Sequence, residues 1–231
     1  MRTILAATFL TLDGVMQAPG GPEEDPTGGF RFGGWQAGVW DDAIGAAIDE
    51  AFRQPFDLLL GRRTYDIFAA HWPYVTTDPA APGYDAGMAE IARTFGRVTK
   101  YVATHRPDSL AWENSEWLGN DPVARLRDLK AADGPTLLIQ GSSVLIQTLL
   151  THDLIDTFKL MVSPLVLGRG KKLFGDGTLP RTLEPVSTRT TPGGALILDY
   201  RGGGEVKTGS FAMETPTEAE IARRKAMADD R

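Results

Sequence analysis

Two short apolar runs, each breaking at or near a glycine just where a helical segment begins, constrain this chain more than any other feature. The first is Asp57-Leu58-Leu59-Leu60-Gly61, followed by Arg62-Arg63-Thr64-Tyr65. The second is Thr136-Leu137-Leu138-Ile139-Gln140-Gly141, followed by Ser142-Ser143-Val144-Leu145. Apolar runs of this length read as buried strands, and strands that feed directly into helices build parallel sheets. At such a junction the first helical N–H groups have no intrahelical acceptor, so they are free for an anion. The first junction adds two guanidinium forks and a hydroxyl, a donor set suited to a phosphorylated ligand. The second adds small residues that let a ligand approach the backbone. Two such junctions in one chain suggest a nucleotide site.

The remaining pattern fits the same architecture. Residues 2–12 read as a first buried strand ending in Thr11-Leu12-Asp13-Gly14, and Gln17 to Gly38 is a long Gly/Pro-rich loop carrying Glu23-Glu24-Asp25. Loops of that length inside a compact domain are usually functional or mobile. Ile44, Ala47, Ile48, Ala51 and Phe52 fall at helical spacing between Trp40 and Phe52, and Pro55 ends that helix. Helices are expected over 64–71 and 85–95, and a third strand over 98–104. Asp121-Pro122 supplies an N-cap and first-turn pair for a helix reaching Ala132. Strand 136–140 and helix 143–151 follow, then a β-rich stretch over 156–167 broken by Pro164. Further strands are expected over 182–190, 195–200 and 206–213, and a charged helix over 217–230, where Thr217 and Glu220 have nearly capping-box spacing. This order predicts an α/β, three-layer domain spanning 1–213, with a mostly parallel sheet, helices on both faces and antiparallel edge strands, followed by a C-terminal charged helix within 214–231.

Composition excludes several function classes. The 231 residues carry 24 basic and 30 acidic side chains, a formal net charge of -6. That argues against a nucleic-acid binder, which needs a basic excess or stripe. There is no cysteine, so disulfides, thiolate nucleophiles and cysteine-ligated metal centres are all ruled out. His71, His105 and His152 are too scattered for a metal motif. No apolar run approaches the roughly 20 residues a membrane span needs. The apolar start, Met1 to Leu10, runs into Asp13-Gly14 without a cleavage-like site, so a cytoplasmic, soluble protein is expected.

Each candidate site has an ordinary alternative. Arg62 and Arg63 could be solvated, but cations at a helix start oppose the macrodipole unless an anion neutralises them. Thr64 can cap the helix and donate to a phosphate at once. Gly141 could serve only close helix packing, while Ser142 and Ser143 could donate to a pyrophosphate. The basic turn Gly168-Arg169-Gly170-Lys171-Lys172 could be plain surface or a ligand-side loop. Asp13 could belong to an ordinary turn. Asp42 shares a helix face with Gly45, Ala46 and Asp49, so it could look into a cleft or simply favour the helix start. Trp35, Trp40, Tyr65 and Trp72 read as core or cleft-wall aromatics.

Taken in order, these segments resemble the dihydrofolate reductase-like superfamily, and within it the riboflavin-biosynthesis reductase branch. The resemblance rests on Phe9 to Gly14, Leu60 to Tyr65, Ile139 to Ser143 and Ser163 to Phe174, and covers roughly residues 2–213. It implies an NADPH-dependent reductase in which Gly61, Arg62, Arg63 and Thr64 bind cofactor phosphates. Gln140, Gly141, Ser142, Ser143 and Val144 would lie under the pyrophosphate and nicotinamide ribose, and Thr104, with His105 and Arg106, near the adenosine. The family's usual Gly-Gly pair is Gln140-Gly141 here. Counting back from Arg62 to the family's folate-gripping acid lands near Gly45, leaving Asp13 and Asp42 as candidates for substrate contact or proton delivery. The implied reaction is hydride transfer to a C=N or C=O of a small heterocyclic or ribosylamino molecule, such as 5-amino-6-(5-phosphoribosylamino)uracil. Dihydrofolate reduction and a non-catalytic nucleotide-binding role are the alternatives, and a homodimer is the implied assembly.

Overall fold

Alternate residues of the central strands belong to different hydrophobic clusters, and this alternation organises the molecule. In the computed structural model, which describes residues 1–176 and 178–229, eight strands form one sheet. They are β1 (Ile4–Thr11), β2 (Phe56–Gly61), β3 (Lys100–Ala103), β4 (Ser115–Trp117), β5 (Thr136–Ile139), β6 (Thr157–Ser163), β7 (Leu183–Thr190) and β8 (Leu196–Gly202). The order across the sheet is β4-β3-β2-β5-β1-β6-β8-β7. Every neighbouring pair is parallel except β6 with β8 and β8 with β7.

The helices are α1 (Asp42–Phe52), α2 (Arg62–Ala69), α3 (Ala86–Arg97), α4 (Pro122–Ala131), α5 (Ser143–Thr151) and α6 (Glu218–Asp229). Leu59, Leu137 and Ile139 pack with Leu126 and Leu129 of α4 and with Leu145, Ile146 and Leu149 of α5. Leu58, Leu60, Val102 and Leu138 point the other way, towards Ala51, Tyr65 and Phe95 of α1, α2 and α3. Ile44 and Ala47 of α1 also meet Met161 and Ile197. Period-2 strands thus present both faces to period-3.6 helices, giving three layers.

The expected Asp121 cap forms, and other contacts hold the neighbouring helix and strand ends. Asp41 caps α1 by accepting from Ile44 N at 3.0 Å, and Asp121 caps α4 by accepting from Ala124 N at 2.9 Å. At the amino ends of the strands, buried Arg2 donates to Asp57 Oδ2 at 2.5 Å and to Pro135 O at 2.6 Å. Asp57 also accepts from Thr99 N at 3.1 Å, so β2 opens on a paired buried charge. Breaking such a pair on one side costs about 3–5 kcal/mol.

One expectation needs correction, and two features add to the pattern. The segment 206–213 is not a strand: β8 ends at Gly202, and Val206, Phe211 and Met213 are exposed with no strand beside them. Alternation alone cannot hold a strand that finds no edge to pair with. Short β4 escaped the sequence because Ser115-Glu116-Trp117 has no apolar pattern; parallel pairing with β3 creates it. The long loop is no loose excursion, since Val15, Ala18, Phe30 and Trp35 form a small core of their own. In the charged helix, Thr217 Oγ1 accepts from Glu220 N at 3.3 Å, while Asp230 and Arg231 lie outside the described residues. No helix among the described residues is long and apolar enough to cross a membrane.

Candidate functional site

The two strand-to-helix junctions lie side by side. β2 and β5 are neighbours in the sheet, so their carboxyl ends and the starts of α2 and α5 meet. Gly61 N donates to Ser142 Oγ at 2.7 Å, and that hydroxyl donates to Thr64 Oγ1 at 2.7 Å. A Cβ on Gly61 would sit 2.7 Å from both Cβ and Oγ of Ser142, closer than real contacts allow. A Cβ on Gly141 would sit 3.2 Å from Thr64 Oγ1. The glycines therefore set how closely the loops approach. Ser142 adopts φ 76°, ψ 73°, a left-handed conformation costly for a side-chain-bearing residue. Such strain concentrates at functional loops. The Gln140–Gly141 peptide is trans.

Both junctions open on one cleft of about 1420 Å³. The cleft runs over the carboxyl ends of β2, β3 and β5, where ligands bind in open α/β sheets. Gly61, Arg62, Arg63, Thr64, Thr104, Gln140, Gly141, Ser142, Ser143 and Val144 all line it, as do His105 and Arg106. An apolar wall comes from Phe9 of β1, Trp40 just before α1, Ile48 and Phe52 of α1, and Phe68 and Trp72 around α2. Trp35 and Tyr65 are buried in the core instead.

Each arginine at the start of α2 meets a carboxylate. Arg62 reaches Asp66 one turn on at 2.6 Å, and its Nη1 donates to Ser109 Oγ and to Arg106 O. Arg106 reaches the same Asp66 at 3.3 Å. Arg63, half exposed, uses Nη1 to approach Asp25 at 3.4 Å and Thr27 at 3.3 Å. Asp25 also accepts from Lys171 Nζ. Burial pushes the Asp25 carboxyl up, but bonds from Lys171 and Thr27 outweigh it and hold the group below its ordinary value.

The loop and the basic turn therefore close on each other. Val15 bridges Lys172, and Met16 N donates to Lys171 O at 2.9 Å, which delivers Lys171 to the cleft. Gly168, Arg169 and Gly170 stay off the lining. Glu24, also on the lining, accepts at Oε2 from Gly20 N at 2.6 Å and Gly21 N at 3.2 Å. Burial raises its pKa above the ordinary carboxylate value despite those bonds.

Asp13 and Asp42 do not join this set. Asp13 accepts from Thr11 Oγ1 at 2.6 Å, Leu167 N at 3.2 Å and Gly168 N at 2.8 Å, which ties the first turn to the loop after β6. The hydrogen bond from Thr11 heads the causes that lower its pKa. Asp42 is exposed in the first turn of α1, where its charge favours the helix dipole, and neither residue lines the cleft. The acids on the lining are Glu23, Glu24 and Asp25, from a loop without periodicity. The signal that could have found them is charge complementarity between that acidic trio and the basic turn at 168–172.

Known proteins resemble this chain in sequence and fold. The family model for the RibD C-terminal domain matches residues 2–197. YyaP, an uncharacterized protein of Bacillus subtilis (strain 168), is 26% identical over 208 residues, covering 88% of this chain and 96% of YyaP. A pyrimidine reductase-like protein from Corynebacterium diphtheriae superposes with a TM-score of 0.53 at 13% identity, covering 87% of this chain and 92% of that one. A diaminohydroxyphosphoribosylaminopyrimidine deaminase/5-amino-6-(5-phosphoribosylamino)uracil reductase from Thermotoga maritima gives 0.52 at 16% identity, covering 87% of this chain and 57% of that longer one. At these identities the structural likenesses establish the fold, which is dihydrofolate reductase-like. With its β5-β1-β6 centre, antiparallel edge and match over 2–197, the chain belongs to the RibD C-terminal domain family.

Proposed function

We propose that this protein is an NADPH-dependent reductase acting on a C=N or C=O carbon of a small heterocyclic or ribosylamino substrate, with 5-amino-6-(5-phosphoribosylamino)uracil as the specific candidate. One observation carries the reading: two glycine-fitted strand-to-helix junctions, joined through Ser142, face one cleft beside Arg62, Arg63 and Arg106. The site fits a dinucleotide. Gly61 and Gly141 let the two junctions close on each other, and the first turns of α2 and α5 offer N–H groups with no helical acceptor.

In this reading Gly141, Ser142, Ser143 and Val144 seat the pyrophosphate, with Gln140 beneath the nicotinamide ribose. Thr64 and Arg63 bind phosphate oxygens, Arg62 and Arg106 hold the 2′-phosphate, and Thr104 and His105 flank the adenosine. Asp66 and Asp25 keep the guanidinium forks oriented until a phosphate competes for them. The cofactor, when bound, supplies a hydride to the substrate carbon. The reduction also needs one proton, and Glu24 is the acid on the lining whose pKa burial raises, which makes it the candidate proton carrier. Phe9, Trp40, Ile48 and Phe52 exclude water around the ring being reduced. A homodimer belongs to the same proposal.

The test is a fluorescence titration with NADPH and NADH on the native chain and on Arg62→Ala/Arg63→Ala. The native chain is expected to prefer NADPH, and the double variant to lose at least about tenfold of that preference, or about 1.4 kcal/mol. An unchanged preference would refute the phosphate assignment.

A further inference from the structure

Gln36 lines the cleft and is only 3% exposed. Its backbone N–H donates to Pro19 O at 3.1 Å, which folds the loop end back on itself. The side-chain Oε1 accepts from the hydroxyl of Ser163 at 2.9 Å, and Ser163 is wholly buried at the end of β6. The amide nitrogen Nε2 is sealed from water and has no partner; among the described residues it is the one buried side-chain polar atom so placed.

The same loop treats its other buried amide differently. Gln17 Nε2 donates to Asp25 O and to Thr27 O, both at 2.9 Å, and its Oε1 accepts from Lys171 N at 3.0 Å. The fold can therefore satisfy a glutamine completely. Leaving one donor unpaired costs stability, and at a cleft wall that cost is recovered when a ligand brings an acceptor. Gln36 shares the lining with Phe9 and Trp40, whose ring centroids lie 6.1 Å apart in an edge-to-face pair. Aromatic surface and a lone amide donor on one lining suit a flat ring with a polar acceptor on its edge.

We infer that Gln36 is a specificity-determining residue: its amide donates to a carbonyl or ring nitrogen of a flat heterocyclic substrate lying against Phe9 and Trp40, while Ser163 holds the amide's other edge. The inference rests on the reductase reading for the neighbouring part of the cleft. It deepens that reading by naming the recognised group, an oxo or aza acceptor. A ring presenting N–H or methyl at that point leaves the donor unpaired and is rejected.

Changing Gln36 alone would strand the buried Ser163 hydroxyl, so the informative variant is Gln36→Met/Ser163→Ala. It is compared with the native chain by calorimetric titration with 5-amino-6-(5-phosphoribosylamino)uracil in the presence of NADP+, by NADPH fluorescence titration, and by the unfolding midpoint without ligand. The double variant should bind the uracil about 10- to 100-fold more weakly. Its NADPH affinity should be unchanged, and its unfolding midpoint equal to or above the native one, because an unpaired donor has been removed. Unchanged uracil affinity would overturn the inference, and so would a lowered midpoint, which would reveal Nε2 as a paired structural group. A native chain that binds NADPH but not the uracil also overturns it while leaving cofactor use intact. A native chain that binds neither removes the reductase reading as well.

Discussion

Gly61 sits where the two strand-to-helix junctions touch. A methyl group there meets Ser142 at 2.7 Å, so the two junctions must separate and the Gly61–Ser142–Thr64 chain of hydrogen bonds must break. Gly61→Ala is expected to lower stability by about 1–3 kcal/mol in chemical denaturation. It should also weaken NADPH binding more than tenfold; an alanine tolerated in both measurements would mean the junctions are not locked together. At this scale the sequence was partly legible. Glycine followed by Arg-Arg-Thr announces a junction because local chemistry alone requires it. Asp13 and Asp42 misled for the converse reason. A carboxylate's role depends on which N–H groups reach it, and the amides of Leu167 and Gly168 come from a loop more than 150 residues away.

Strands and helices were legible wherever burial imposes a period. β2, β5, α1 and α5 each combine apolar spacing with a clear stop, and the structure builds them within a residue or two of expectation. β4 and the segment 206–213 failed in opposite directions, because pairing and not composition decides whether an edge strand exists. The long loop was illegible for another reason: its geometry comes from ion pairs to distant partners. Asp25 joins it to Lys171 and Arg63, and Arg31 stands exposed within it. Asp25→Asn removes the charge that holds this latch, and charge-assisted bonds contribute about 1.5–3 kcal/mol each. Tryptic cleavage after Arg31 should therefore accelerate about tenfold or more, since proteolysis follows local opening. An unchanged cleavage rate would show that the loop's small hydrophobic core holds it without the latch.

Across the whole molecule, a charge network ties α1 to the antiparallel half of the sheet. Lys159 on β6 reaches Glu50 at 3.2 Å and Asp199 at 2.6 Å, and Arg189 on β7 reaches Glu50 at 2.6 Å. The hydrogen bond from Arg189 is the main cause holding the Glu50 carboxyl down at about 2, with Lys159 adding to it and burial opposing. A carboxylate depressed on folding contributes stability above its unfolded value, near 4.5, and loses it as pH falls towards 2. Glu50→Gln should thus cost about 1–3 kcal/mol at pH 7 and much less at pH 3. Denaturation at the two pH values checks this, and an equal cost at both would assign the loss to packing. Because α1 also supplies Ile48 and Phe52 to the cleft, the network steadies the wall where a substrate ring would lie.

A crystal structure of the chain soaked with NADPH tests the cofactor assignment at both junctions together. The pyrophosphate should lie on the backbone of Gly141 to Val144, the 2′-phosphate between Arg62 and Arg106, and the nicotinamide should turn towards Phe9 and Trp40. A dinucleotide bound elsewhere, or an empty cleft at saturating NADPH with both junctions intact, would contradict that assignment.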